Sequence, residues 1–268
     1  MRAGRISGTL WPWVRLYGPD GVEVGGNAGG TTVNEVTVQA TESGTFTVVI
    51  GDGSSSTSTS LGDSGDYQLT LAKTGSPIVV SPGDEGGPMT GIDVYDGNID
   101  IGDLDVWSFT AFTGNTISIN VTELVSGSPL VPWVRLYGRD GTLLKSVSGT
   151  ATAGFVMSAP ATGSYLVVVG DGSNGLGDSG TYALTVNGLS DSLRVGIPSI
   201  SRTNYHFDEV GGVPNSTFIL LTTTNLAKPA NLWTPILTNQ FDQFGVFSYT
   251  NIYNPVLQKQ GYFRFVLP

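Results

Sequence analysis

Cysteine is absent from this chain of 268 residues, which excludes disulfides and thiolate metal centres alike. Histidine is nearly absent: His206 stands alone, and a zinc site needs several His or Cys ligands. Basic residues are scarce, 12 Lys and Arg against 22 Asp and Glu, for a formal charge of −10. That balance excludes nucleic acid as a partner, because phosphate recognition needs a basic face. No apolar run is long enough to span a bilayer as a helix. Nor does any long segment repeat apolar residues at helical spacing. The opening residues, Met1-Arg-Ala-Gly-Arg-Ile-Ser-Gly8, lack the apolar core of a signal peptide. The expectation is therefore either a cytoplasmic chain or a piece of a longer secreted product.

Turn formers are abundant instead, with 38 glycines and 14 prolines beside 39% hydrophobic residues. Short strands joined by many turns follow, with enough apolar content for packed cores, so the fold class is all-β. The organising stretch is a near-duplicate. Trp11-Pro-Trp-Val-Arg-Leu-Tyr-Gly-Pro-Asp-Gly21 returns as Val131-Pro-Trp-Val-Arg-Leu-Tyr-Gly-Arg-Asp-Gly141. Each copy reads as a strand closed by an Asp-Gly turn, since Gly tolerates the positive φ of tight hairpins.

In the first copy, strands are expected near 13–17, 33–39, 44–50 and 66–71. A breaker-rich spacer over 73–88 marks a boundary. The second copy adds Asp105–Phe112 and Asn115–Val121 ahead of the shared motif, and Ile117, Ile119 and Val121 alternate there with polar residues. The architecture expected is a tandem of β-sandwich (jelly-roll or immunoglobulin-like) domains. Their bounds are 1–75 (incomplete at its N-terminus), 76–190 (complete) and 191–268 (small, immunoglobulin-like).

Five segments carry a resemblance: Gly102-Asp-Leu-Asp-Val-Trp-Ser-Phe109, Gly114-Asn-Thr-Ile-Ser-Ile119, Val134-Arg-Leu-Tyr-Gly-Arg-Asp-Gly141, Gly163-Ser-Tyr-Leu-Val-Val168 and Gly180-Thr-Tyr-Ala-Leu-Thr-Val186. Together they resemble the bacterial pre-peptidase C-terminal domain. The resemblance covers the middle domain fully and the first partly. It implies secreted β-sandwiches, often in tandem beside proteases or in large surface proteins, with calcium in some members, and hence an extracellular or cell-surface location. Residues 191–268 are similar to immunoglobulin-like C-terminal modules of secreted bacterial proteins.

Two Gly-Asp-Ser-Gly elements, at 62–65 and 177–180, match the nucleophile segment of trypsin-like proteases. A triad needs a base within about 3 Å of its serine, and one histidine cannot serve both copies. Enzymatic activity is not expected. Calcium is the metal that the composition allows, because it accepts carboxylates, carbonyls and water. Asp84, Glu85, Asp93, Asp96, Asp100, Asp103 and Asp105 cluster in sequence without Lys or Arg among them. An EF-hand reading of Asp96-Gly-Asn-Ile-Asp100 fails, since Ile101 stands where Gly is required and Trp107 where the bidentate Glu belongs. The candidate ligands are Asp96, Asp100, Asp103 and Asp105, with Asp171 and Asp178 in one repeated loop and Asp52 and Asp63 in its duplicate. The competing reading is that these carboxylates cap turns.

Arg15 and Arg135 are expected to pair with loop carboxylates. Trp13, Trp107 and Trp133 are expected in cores, while Trp11 and Trp233 are freer to meet a glycan. Sequons stand at Asn120 and Asn215, and the Ser54–Ser60 run suits an exposed linker.

Aligning Trp13 with Trp133 sets Met1 opposite Val121, so the first copy lacks counterparts of 105–120. Burying Trp107, Phe109, Ile117 and Ile119 is worth about 6–12 kcal/mol, comparable with a domain's net stability of about 5–15 kcal/mol. Either the sequence is a fragment or another subunit supplies strands. The leading expectation is a non-catalytic extracellular structural protein, a homo-oligomer or polymer joined through β-sheet edges into a head-to-tail filament. The alternative is a carbohydrate- or protein-binding accessory module of a secreted hydrolase.

Overall fold

A computed structural model describes residues 1–28, 32–54, 62–74, 80, 83–89, 94–187, 194–195, 199–200, 204–210, 216–242, 246–252 and 261–266. Asp93, Asn215 and most of the Ser54–Ser60 run lie outside them. Among the described residues the regular structure is β apart from one short 3-10 turn, Ala230–Leu232. No helix is long and apolar enough to cross a membrane.

The first copy comprises β1 (Arg2–Arg5), β2 (Pro12–Tyr17), β3 (Glu23–Asn27), β4 (Val33–Glu35), β5 (Thr47–Asp52) and β6 (Tyr67–Thr70). They form two three-stranded sheets, β4-β1-β6 and β3-β2-β5, closed over Ala3, Val14 and Val36. The middle copy comprises β7 (Gly86–Pro88), β8 (Val94–Ile99), β9 (Asp105–Ala111), β10 (Thr116–Glu123), β11 (Pro132–Tyr137), β12 (Leu143–Ser148), β13 (Thr152–Ser158), β14 (Gly163–Asp171) and β15 (Gly180–Asn187). Its sheets run β13-β10-β15-β8 and β12-β11-β14-β9-β7. Inward side chains of both fill one core around Trp107, Phe109, Ile117, Ile119, Tyr165 and Leu184.

The strand orders correspond. β4-β1-β6 matches β13-β10-β15, and β3-β2-β5 matches β12-β11-β14. Among the described residues the first copy has no counterpart of β8 beside β6, nor of β9 and β7 beside β5. Strand register corrects the alignment made on tryptophan. Ala3 pairs with Leu69 as Val121 pairs with Leu184, so Met1 sits level with Ile119 rather than Val121. Met1 continues the ladder by exchanging backbone hydrogen bonds of 2.9 Å with Val36.

The two copies stack. The outer face of β4-β1-β6 lies on the outer face of the five-stranded sheet, where Ala72 packs with Leu104, Val106, Tyr137, Leu166 and Val168. This explains why β14 is buried along nearly its whole length: one face meets its own core and the other meets the first copy. Gly4 and Gly102 bring the two backbones close together. A Cβ on Gly102, whose φ is +87°, would stand 2.5 Å from the Gly4 nitrogen. Glycine is required by both the contact and the backbone.

The C-terminal unit comprises β16 (Arg194–Val195), β17 (Ser199–Ile200), β18 (Asn204–Val210), β19 (Thr217–Thr223), β20 (Thr234–Gln240), β21 (Phe247–Ile252) and β22 (Tyr262–Val266). β18 joins β16, β17 and β21 in one sheet, and β20-β19-β22 form the other. Phe218, Leu220 and Phe241 are buried between them, edged by Tyr205, Phe247, Phe263 and Phe265. Ala230–Leu232 form a 3-10 turn just ahead of β20.

Candidate metal centre

Asp105 opens β9 and is fully buried, because the period of the strand turns it inward with Trp107, Phe109 and Ala111. Its Oδ2 accepts a hydrogen bond of 2.6 Å from the Tyr182 hydroxyl on β15, which in turn accepts one of 2.9 Å from Trp107 Nε1. Gly97 makes this possible: a Cβ there would lie 2.5 Å from the Tyr182 hydroxyl oxygen. The other oxygen, Oδ1, is buried with no hydrogen-bond partner.

β7 runs parallel to β9, pairing Gly86 with Val106, and so delivers Asp84 and Glu85 to the same place. Carboxylate oxygens of Asp84, Glu85 and Asp105 lie within 4.8 Å of one another. Burial, reinforced by Asp103, Asp84 and Glu85 against the Tyr182 hydrogen bond, pushes Asp105 up to about 8. Burial and Asp84 push Asp103 up to about 6. Burial also raises Asp84. Like charges gathered away from water favour protonation or a cation between them. An orphaned buried carboxylate oxygen facing two more carboxylates fits a hard cation such as calcium, which takes oxygen ligands only. Asp84, Glu85 and Asp105 would hold it, with Asp103 close by.

The remaining candidates fall elsewhere. Asp103 is buried, its Oδ1 accepting from Leu104 N at 2.8 Å and from Thr70 Oγ1 at 3.3 Å. Asp96 lies exposed in mid-strand on β8, and Asp100 accepts from Asn98 Nδ2 at 3.1 Å. The stretch tested as an EF-hand is thus mostly a sheet edge. Asp171 and Asp178 do meet, but through backbone: Asp178 N donates to Asp171 Oδ2 at 3.1 Å, and Ser173 N and Val131 N donate to Oδ1 at 3.1 and 3.2 Å. Asp52 repeats this with Ser54 N, Trp11 N and the backbone of Asp63, while Asp63 accepts from Thr9 Oγ1 at 2.7 Å. The carboxylates of Asp171, Asp52 and Asp63 tie loops together, and Asp178 contributes its backbone N–H.

A second polar site has no signature in the sequence. Arg135 pairs not with a loop aspartate but with Glu35 on β4 of the first copy, which also binds Arg2 at 2.8 Å. Arg2 is fully buried and donates to the Asp171 carbonyl at 3.0 Å. Burial pushes Glu35 upward, but the Arg135 and Arg2 guanidiniums outweigh it and hold its carboxyl below the usual range. Trp13 and Trp133 are corrected too. They point away from the cores and lie under Arg15 at 3.7 Å and Arg135 at 4.1 Å, because Val14 and Val134 take the inward positions. Arg15 pairs with no loop carboxylate among the described residues, and its Nε is buried without a partner. Trp107 is core as expected, and Trp11 is exposed. His206 Nδ1 lies 2.7 Å from Thr250 Oγ1 on the neighbouring strand.

A scan of family models finds no match to this sequence, and neither does a search of curated proteins. Among solved structures, the chain is similar to the pre-peptidase C-terminal domain of a collagenase from Bacillus anthracis, with 20% identity over 39% of this chain and 96% of that one, at a TM-score of 0.32. PliG of Salmonella Typhimurium, a periplasmic inhibitor of g-type lysozyme, gives 19% identity over 38% of this chain and 96% of its own, at 0.28. A GH2 β-galacturonidase from Eisenbergiella tayi gives 13% identity over 57% of this chain and 29% of its own, at 0.21. The all-β architecture of this chain rests on its own strand order.

Proposed function

We propose that this chain is a non-catalytic structural protein of the cell exterior, whose middle sandwich is clamped by calcium and whose copies join through the β-sheet edges of the first sandwich. One contrast between the copies carries the reading. Tyr182, Leu184 and Val186 on the middle copy are 0%, 0% and 1% exposed, while their counterparts Tyr67, Leu69 and Leu71 are 47%, 40% and 61% exposed. Facing them, Phe46, Val48 and Ile50 are half-buried where Tyr165, Val167 and Val169 are buried. Six core side chains therefore border two edges that are unpaired among the described residues, the arrangement that strand addition fills. Unlike donor and acceptor surfaces would give a head-to-tail filament, and alike surfaces a closed pair. Calcium held by Asp84, Glu85 and Asp105 would neutralise the buried carboxylates and pin the segment before β7 to β9.

The test is a synthetic peptide with the sequence 94–111, which spans β8 and β9, added to the intact chain. Stoichiometric binding that is lost in Leu69→Lys supports the reading, and no binding at any peptide concentration refutes it. A binding module of a secreted hydrolase is the second reading. Trp13, Arg15 and Tyr17 favour it, since they occupy on the first copy the face that Trp133, Arg135 and Tyr137 present to Glu35 and Arg2. Titration of soluble glycans against Trp fluorescence, with Trp13→Ala as control, tests that face.

A further inference from the structure

The two stacked sandwiches place four sheets in the order β3-β2-β5, β4-β1-β6, β12-β11-β14-β9-β7 and β13-β10-β15-β8. The contact within the chain joins the second sheet to the third by their outer faces. Among the described residues the outer faces of the first and the fourth carry no such cover, and Val49 and Val156 on them are 38% and 66% exposed. We infer that these two faces meet between molecules, the β13-β10-β15-β8 face of one copy docking on the β3-β2-β5 face of a second. The fourth sheet is the counterpart of the second, and the first sheet is the counterpart of the third. Docking therefore repeats between molecules a contact that already exists inside one. It is made by faces and is separate from the sheet edges of the first sandwich.

The receiving face is already built. Strand pairing sets Val49 and Gly51 beside Arg15 and Trp13, as it sets Val168 and Gly170 beside Arg135 and Trp133. The Arg15 guanidinium lies 3.7 Å from the Trp13 ring centroid, as that of Arg135 lies 4.1 Å from Trp133. Arg15 is thus held in the posture with which Arg135 takes Glu35, and its Nε is buried without a partner. The docking face supplies an acceptor at the matching place. Asn120 pairs with Gly154 on β13 as Arg2 pairs with Glu35 on β4, so Gly154 stands at the position of Glu35. The Asn120 amide fills the space: its Oδ1 lies 2.7 Å from where a Gly154 Cβ would stand. Its Nδ2 donates to Thr122 Oγ1 at 2.8 Å, which fixes the oxygen toward Gly154. A guanidinium donates to an amide oxygen as it does to a carboxylate, though more weakly. Around Asn120 the outward residues Thr122, Gly154, Ala183 and Thr185 are small and uncharged, so the two sheets can approach. Unlike faces at opposite ends of the stack join head to tail and leave a free face at each end for the next molecule.

Sedimentation velocity of the intact chain over a concentration series tests the inference, with Leu69→Lys run beside it to remove association through the edges. The expected result is open-ended growth with concentration that persists in Leu69→Lys. Arg15→Glu weakens the association about tenfold or more, and so does Asn120→Arg, which sets two guanidiniums face to face. Asn120→Asp restores a carboxylate opposite Arg15 and tightens the association about tenfold. A chain carrying both Arg15→Glu and Asn120→Arg recovers growth, because the two faces have exchanged their groups. An equal mixture of the two single variants stops at the dimer, since only one junction is intact. Growth that Arg15→Glu leaves unchanged, or a double variant that recovers nothing, overturns the inference. Growth indifferent to Arg15→Glu but abolished by Leu69→Lys refutes docking by faces and keeps the edges. A monomer at every concentration refutes both.

Discussion

Replacing Glu35 by alanine removes the carboxylate that faces two buried guanidiniums across the junction of the stacked copies. Arg2 is fully buried and Arg135 is 5% exposed, and Arg135 already has Nε and Nη2 buried without partners. Removing one member of a buried ion pair costs about 3–5 kcal/mol, because the charge left behind is neither paired nor hydrated. Arg2 keeps its bond to the Asp171 carbonyl, which limits the loss on that side, so the lower half of the range is expected. Urea unfolding followed by tryptophan fluorescence measures it, since Trp133 lies under both guanidiniums. Glu35→Gln keeps an acceptor and loses less. The pH dependence has a definite sign. Glu35 is held below the usual carboxylate range by Arg135 and Arg2, against its burial. Its contribution is present above the unfolded value of about 4.3 and is lost as pH falls through the lowered folded value. A loss below about 1 kcal/mol in Glu35→Ala, the size of a solvent-screened surface pair, would refute the buried junction.

With calcium chelated, stability falls as pH rises from about 4 toward 8, because the raised folded values of Asp103 and Asp105, about 6 and about 8, favour the folded state only while these groups stay protonated. Calcium removes that decline, and Asp105→Asn abolishes the calcium response in thermal unfolding scans; a chelator-independent profile contradicts the clamp. At the junction of the copies, Gly102→Ala costs at least about 2 kcal/mol, combining a left-handed backbone with a clash against Gly4. Gly114→Ala, with φ +84° and nothing within 4 Å, carries only the backbone cost of about 1–2 kcal/mol. Equal losses in denaturant unfolding would dismiss the contact.

The repeat and the sandwich were legible because alternation is strong wherever one face is buried, as in Thr116–Val121. Asp103 and Asp105 were legible as an acid pair at a strand start. Asp84 and Glu85 were legible as part of the same acidic cluster but not as ligands beside Asp105, since β7 is Gly-Gly-Pro and carries no alternation to mark it as a strand. β8 was hidden for a related reason: Asp96-Gly-Asn98 gives the composition of a metal loop to an edge strand. Trp13 and Trp133 were misplaced because strand alternation shows which residues share a face but not which face is inward. Val14 and Val134 settle that, and only packing shows it. Glu35 carried no signal, because its partners Arg2 and Arg135 are 33 and 100 residues away.

Assembly through the edges of the first sandwich is tested most directly by amide hydrogen exchange on β5 and β6 at low and high protein concentration. An open edge exchanges fast when the chain is dilute and becomes protected when a second copy pairs with it, while β14 and β15 stay protected throughout. Strong protection of β5 and β6 at every dilution would contradict the open sandwich, and with it the assembly built upon it.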